Sequence, residues 1–153
     1  MQDALEVMLA YATAFEQTYV DDDWKRLAPY FADNAIYEVR GGPMACHIAG
    51  RDAIFKGMKK SLDGLDRRCD RRSIEMVDGP QVVATDSGGE VTLCWRVSYR
   101  YGDAPLASFA GRTVTTVESG VITELRDEYT DDDLEGFVRW MRDHGEGLDG
   151  RYV

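Results

Sequence analysis

Residues 93–101 read LCWRVSYRY. Leu93, Trp95, Val97, Tyr99 and Tyr101 fall on one side of an extended chain, and Cys94, Arg96, Ser98 and Arg100 fall on the other. A period of two predicts a strand with one apolar and one polar face. The pattern continues on both sides of this stretch. Strand-like runs at 73–77, 81–85, 90–101, 106–118 and 121–129 are separated by DGP, DSGG, YGDAP and ESG, which are hairpin-grade turn sequences. The second half of the chain therefore reads as an antiparallel meander.

Upstream the period changes. Leu5, Met8, Ala12, Phe15 and Tyr19 recur in steps of three and four, a helical stripe. DDDWKRLAPYF (21–31) reads as a second, short helix capped by its aspartates and burying Trp24, Leu27 and Phe31. NAIYEVR (34–40) alternates as a strand, GGPMACHIAG (41–50) reads as a loop, and RDAIFKGMKKSL (51–62) returns to helical spacing through Ile54, Met58 and Leu62. After the meander, Thr130 and Asp133 fit a capping box that opens a last helix, and the glycine-rich tail GEGLDGRYV (145–153) is expected to fray. The expected class is α+β, a single domain over residues 1–153 with helices packed on one curved sheet.

Bulk properties exclude several function classes. At 153 residues, 44% hydrophobic and 30% charged, the chain has the composition of a globular protein. A net charge of −10 argues against nucleic acid and anionic membranes, both of which need a basic footprint. Cys46, Cys69 and Cys94 have no C-x-x-C spacing and favour a reducing compartment. The N-terminus lacks the basic start of a signal peptide, and no apolar run reaches the ~20 residues that span a bilayer. These features predict a soluble cytoplasmic protein. The acidic runs 21–23 and 131–133 precede helices, have no histidine at ligand spacing, and suit the helix dipole better than a metal.

Helix, short helix, FADNAIYEV (31–39), loop, GRDAI (50–54), helix, meander and GVITELRDEYTD (120–131) together resemble the nuclear transport factor 2-like superfamily. That superfamily includes the SnoaL-like polyketide cyclases, ketosteroid isomerase, scytalone dehydratase and limonene-1,2-epoxide hydrolase. The likeness spans roughly residues 5–140. It implies a cone, a curved and mostly antiparallel sheet wrapped around N-terminal helices, with a deep apolar pocket and often a dimer formed through the sheet. Limonene epoxide hydrolase gives the nearest residue pattern. Its working set is an Asp–Arg–Asp charge system, with a Tyr and an Asn holding the attacking water. The water-activating aspartate falls on Asp127, the arginine on Arg96 and the tyrosine on Tyr37, but the general acid falls on Ser98 and the asparagine on Val39. The general-base aspartate of ketosteroid isomerase also falls on Val39.

The resemblance thus implies a catalytic set of Asp127, Arg96 and Tyr37. Asp127 would move a proton or activate water, Arg96 would orient that carboxylate and stabilise negative charge, and Tyr37 would donate to a substrate oxygen. Ser98, Val39, His47, Tyr11, Tyr19, Trp24 and Tyr129 are the candidate substrate-binding residues. On this reading the Arg96 face of LCWRVSYRY opens to the pocket, while its apolar face packs on helices or across a dimer interface. DRRCDRR (66–72) reads as a solvated, mixed-charge turn. With the second carboxylate missing, proton transfer ranks above hydrolysis. The expected function is that of an isomerase, cyclase or lyase, without cofactor or metal, acting as a homodimer on a hydrophobic, aromatic or cyclic small molecule. The alternatives are an epoxide hydrolase-like activity with an incomplete charge set, and a non-catalytic binder or scaffold in which Arg96–Asp127 is a structural ion pair.

Overall fold

The computed structural model describes residues 3–153. Helix α1 (Ala4–Asp21) leads through a 3-10 turn at Trp24–Tyr30 into β1 (Phe31–Arg40). Strand β2 (Cys46–Ala49) and helix α2 (Arg51–Gly64) follow, then β3 (Arg71–Thr85), β4 (Gly88–Arg100), β5 (Ala107–Glu118), β6 (Val121–Tyr129) and helix α3 (Asp131–His144). The six strands form one open sheet in the order β2-β1-β6-β5-β4-β3. Pairing is antiparallel throughout except between β1 and β6, where the meander returns alongside the first strand. Register irregularities between Phe31 and Ile36, through Met76–Gln81 and at Thr116/Val117 add twist and bend, and they curve the sheet into a half-cone. No helix among the described residues is long and apolar enough to cross a membrane.

The α+β class and the curved, mostly antiparallel sheet are as expected, and several local expectations are corrected. The runs 73–77 and 81–85 are one strand: both halves pair with β4, and DGP is a bulge rather than a turn. Pro80 is tolerated there because β3 is an edge strand, whose free side needs no amide donor. Within the expected loop 41–50, residues 46–49 form β2, which pairs Ile36–Val39. Thr130 is the N-cap of α3 without a side-chain cap bond, so no capping box forms; Asp133 instead accepts the Ala110 N–H at 2.8 Å. The aspartates before the 3-10 turn are also spent elsewhere. Asp21 binds Arg26, and Asp22 takes the Trp24 indole N–H at 2.7 Å and Lys59 at 2.8 Å.

The concave face of the sheet carries the core. Helix α1 buries Ala4, Val7, Met8, Tyr11, Ala14 and Thr18, a stripe turned one position from the expected one. The offset has a physical reason: Ala12 and Phe15 face an internal cavity and so keep some exposed surface. A second apolar cluster joins α3 to the inner side of β4 and β5, with Phe137 packed on Phe109 at 4.5 Å between ring centres.

The glycine-rich tail does not fray. The Asp149 N–H donates to the Gly64 carbonyl at 2.9 Å, Ser61 Oγ donates to the Gly150 carbonyl at 2.6 Å, and Arg68 holds the Gly147 carbonyl at 2.7 Å. This approach requires Gly64, because a Cβ there would fall on the Asp149 carbonyl oxygen. Glycine to alanine inside a helix ordinarily stabilises by up to about 1 kcal/mol. At Gly64 the sign should reverse. Gly64→Ala should destabilise by about 1–3 kcal/mol through overpacking, read as a lower melting temperature. An unchanged or raised melting temperature would show that the tail is not docked.

Candidate active site

The cone encloses a cavity of about 690 Å³ between α1, α2, the tail and the inner faces of β3–β6. Its wall is largely apolar, from residues such as Met8, Met58, Leu62, Leu93, Val97 and Phe109. The exposed apolar lining residues Leu9, Ile74 and Met76 mark its mouth between α1 and the edge strand β3.

Asp127 lies on β6 and points into this space together with Leu125 and Tyr129. Its neighbours in register are Thr113 on β5 and Val39 on β1. Tyr37 Oη donates to Asp127 Oδ2 at 2.6 Å, and Thr113 Oγ1 donates to Oδ1 at 2.7 Å. The Trp95 indole N–H donates to Thr113 Oγ1 at 2.8 Å, which leaves the threonine proton free for the carboxylate. Each carboxylate oxygen thus receives one fixed donor and keeps a lone pair for a ligand. Burial among apolar side chains pushes the Asp127 carboxyl above its ordinary range, and the Tyr37 and Thr113 hydrogen bonds offset part of that rise. Burial, reinforced by the Asp127 charge, raises Tyr37 and Tyr11 well above the usual phenol value, and burial does the same for Tyr129. All three phenols are therefore donors at neutral pH.

The structure brings Asp127, Tyr37, Tyr11 and Tyr129 together in the cavity wall, which the other expected residues do not line. Arg96 is not the partner of Asp127. It lies on the outer face, donating to Ser108 Oγ at 3.1 Å with Asp133 at 3.6 Å, and its side chain is 38% exposed. Ser98 shares that face and bonds to Ser108 at 3.2 Å. The expectation divided helix packing and cavity lining between the two faces of β4. A half-cone has only one inner face, and it serves both purposes, so the apolar Leu93–Tyr99 set takes it and the arginines face out. Val39 is buried in the core beside Asp127 without lining the cavity. His47 is exposed on β2 opposite Glu38. Trp24 packs between Phe15 and Phe55, and Tyr19 stacks under Arg72 outside the cavity.

Three features of the site were not expected. Thr113 and Trp95 hold Asp127, and strand register alone could have suggested the threonine. Tyr152 reaches in from the tail to pack on Tyr37 at 5.3 Å between ring centres, and burial raises its phenol. The supposedly solvated turn places a second polar group in the cavity wall. Asp66 is 7% exposed and holds Arg72 Nε at 2.8 Å, Tyr99 Oη adds a bond at 3.1 Å, and burial raises the Asp66 carboxyl against both. Among the described residues, no group of three or more His, Cys, Asp or Glu side chains could hold a metal ion.

The raised Asp127 carboxyl has a consequence for stability. As pH climbs from about 3.9, the unfolded chain releases this proton before the folded one does, so the residue costs stability up to its folded value and a constant amount above it. Asp127→Asn removes that cost while keeping the shape. The melting temperature of the variant minus that of the parent should be near zero at pH 3, grow as pH rises through the carboxylate range, and then level off. A difference that shrinks with pH would contradict the burial described here.

The model of the SnoaL-like domain family matches residues 10–125. No protein of curated function matches the sequence. Among solved structures, an NTF2-like protein from Burkholderia thailandensis is similar at 15% identity and a TM-score of 0.66, over 90% of this chain and 98% of that one. A proposed isomerase from Bacillus subtilis is similar at 16% identity and a TM-score of 0.63, over 91% and 97%. TerC, co-crystallised with polyporic acid, is similar at 13% identity and a TM-score of 0.61, over 88% and 97%. The matched stretch runs from α1 to Leu125 on β6, the strand that carries Asp127, and the chain belongs to the SnoaL-like domain family and shares the fold of NTF2-like proteins.

Proposed function

We propose that this protein is a cofactor-independent enzyme that moves a proton on a hydrophobic cyclic small molecule, in an isomerisation, cyclisation or elimination. One observation carries the reading: a carboxylate with raised basicity, held from both sides by Tyr37 and Thr113, faces a largely apolar cavity of about 690 Å³. That volume suits a ligand of several rings. Asp127 takes a proton from carbon next to a carbonyl, and the charge that develops on the carbonyl oxygen is met by a phenol donor, Tyr129 or Tyr11. Returning the proton to a neighbouring carbon gives isomerisation, expelling a leaving group gives elimination, and attack on a second carbonyl closes a ring. Tyr37 holds the base in position and is not itself the acid.

The family supports small-molecule chemistry of this kind, and a proposed isomerase and a complex with polyporic acid stand among the similar structures. The epoxide hydrolase reading loses its support. Arg96 faces outward beside Asp133, and the Asp127 carboxylate is held by Tyr37 and Thr113 instead of an arginine.

The test is exchange of an acidic C–H in D₂O, followed by NMR with 2-tetralone as a simple cyclic ketone. The parent chain should accelerate exchange, and Asp127→Asn should reduce the acceleration by roughly 10²–10⁴-fold while remaining folded. The parent's rate should fall as pH is lowered through the raised Asp127 value. Binding of the ketone without faster exchange, or exchange unaffected by Asp127→Asn, would favour a non-catalytic binder.

A further inference from the structure

The mechanism leaves one part of the cavity wall unused. Arg72 is the second residue of β3, and its side chain is only 9% exposed. Its guanidinium has two edges in different situations. The Nε edge is held by Asp66, an equally buried carboxylate, which Tyr99 Oη also fixes. That inner pair is neutral as a unit and already compensates the buried arginine. The outer edge carries a second carboxylate: Nη1 lies 3.0 Å from Glu16 Oε2, and Nη2 lies 3.3 Å from Oε1. Glu16 comes from α1, its side chain is 45% exposed, and it lines the cavity along with Arg72, Asp66 and Tyr99.

We propose that the outer edge of Arg72 is the substrate anchor of this cavity, that it takes a carboxylate on a flat hydrophobic ligand, and that Glu16 occupies this place until the ligand displaces it. The proposal rests on the reading of the cavity as a substrate chamber. A planar guanidinium edge binds a carboxylate through two parallel hydrogen bonds, and Glu16 now provides that arrangement. An arginine neutralised from inside has no need of a second acid for its own burial. Glu16 is the half-exposed member of the pair, so its side chain can swing into solvent when another carboxylate takes its place on the guanidinium edge. Exchanging one carboxylate for another leaves the charge of the cluster unchanged.

The location fits the same role. Arg72 sits just inside the mouth between α1 and β3, where an entering ligand passes. Strand β3 lies three positions from β6 in the sheet, and Arg72 pairs with Tyr99 on β4 while Asp127 aligns through Thr113 with Leu93, so the two groups stand toward different ends of the cavity wall. A flat ligand anchored by its carboxylate at Arg72 would lie with its rings on the apolar wall that runs from there toward Asp127. Two polar ends joined by an apolar wall select a hydrophobic acid over a wholly apolar ring system.

The experiment is calorimetric titration of the whole chain with 2-naphthoate and with 2-naphthamide, which has the same shape without the charge. The parent chain should bind naphthoate more tightly than the amide. Glu16→Ala should tighten naphthoate by roughly tenfold, as an internal competitor is removed, and leave the amide within about twofold. Arg72→Lys, which keeps a charge against Asp66, should weaken naphthoate by roughly tenfold because the planar fork is lost. If Arg72→Lys does not fold, the two probes on Glu16→Ala decide alone. Equal affinity for both probes in the parent and in Glu16→Ala, an equal change for both, or no binding of either would overturn the anchor. Repeating the titration in Asp127→Asn separates this proposal from the catalytic one. In the parent chain, exchange catalysis without charge discrimination removes only the anchor, and charge discrimination without exchange catalysis, kept in Asp127→Asn, removes only the base.

Discussion

The Asp127 carboxylate sits where the open, curved sheet bends around an apolar cavity, and the surrounding structure is organised to keep it there. A charge in an apolar cavity is tolerated only when its oxygens are hydrogen-bonded. Tyr37 on one neighbouring strand and Thr113 on the other supply those bonds, so β1, β6 and β5 must hold their register to within one residue. A slip of one would turn the carboxylate outward and leave the phenol and hydroxyl without it. Trp95, one strand further on, fixes the direction of the threonine proton. The site is thus spread across four adjacent strands and depends on the sheet as a unit.

The same constraint accounts for the packing elsewhere. The inner face has to enclose both helices and cavity, so it is mostly apolar, with charge at Asp127, held by its donors, and at Arg72, paired with Asp66. The outer face carries the charge, including the Arg40–Glu128–Arg112 and Glu128–Arg126 contacts and the Arg96 group. The chain's last residues complete the enclosure. Without Tyr152 and the Ser61 and Gly64 attachments, the cavity would lose part of its wall next to Tyr37.

Much of the fold was legible in the sequence because the strands of the meander are amphipathic with an even period and their turns carry glycine and aspartate. DGP misled because the residues that make a turn also make a bulge, and only the shared partner β4 distinguishes the two. Asp127 and Tyr37 were found through a resemblance, whereas Arg96 was assigned to the wrong side. In LCWRVSYRY both faces had plausible roles, and alternation alone does not say which face is inside. Asp66, Arg72 and Glu16 gave no signal at all. They lie far apart in sequence, and a run of mixed charge looks solvated until a helix and a strand close over it.

The sequence by itself determined the elements: the helical and strand periods, the α+β class, the acidic surface, and a carboxylate at the end of the last strand with a tyrosine on the first. These are local properties, written in spacing and side-chain chemistry. Tertiary structure alone decided which side of each strand is interior, which residues donate to Asp127, that the tail is part of the wall, and that a buried guanidinium stands at the mouth. Those outcomes depend on strand register and on contacts between residues as distant as Tyr37 and Asp127, or Glu16 and Arg72. Curvature fixes them, because a sheet bent around a cavity has only one inside.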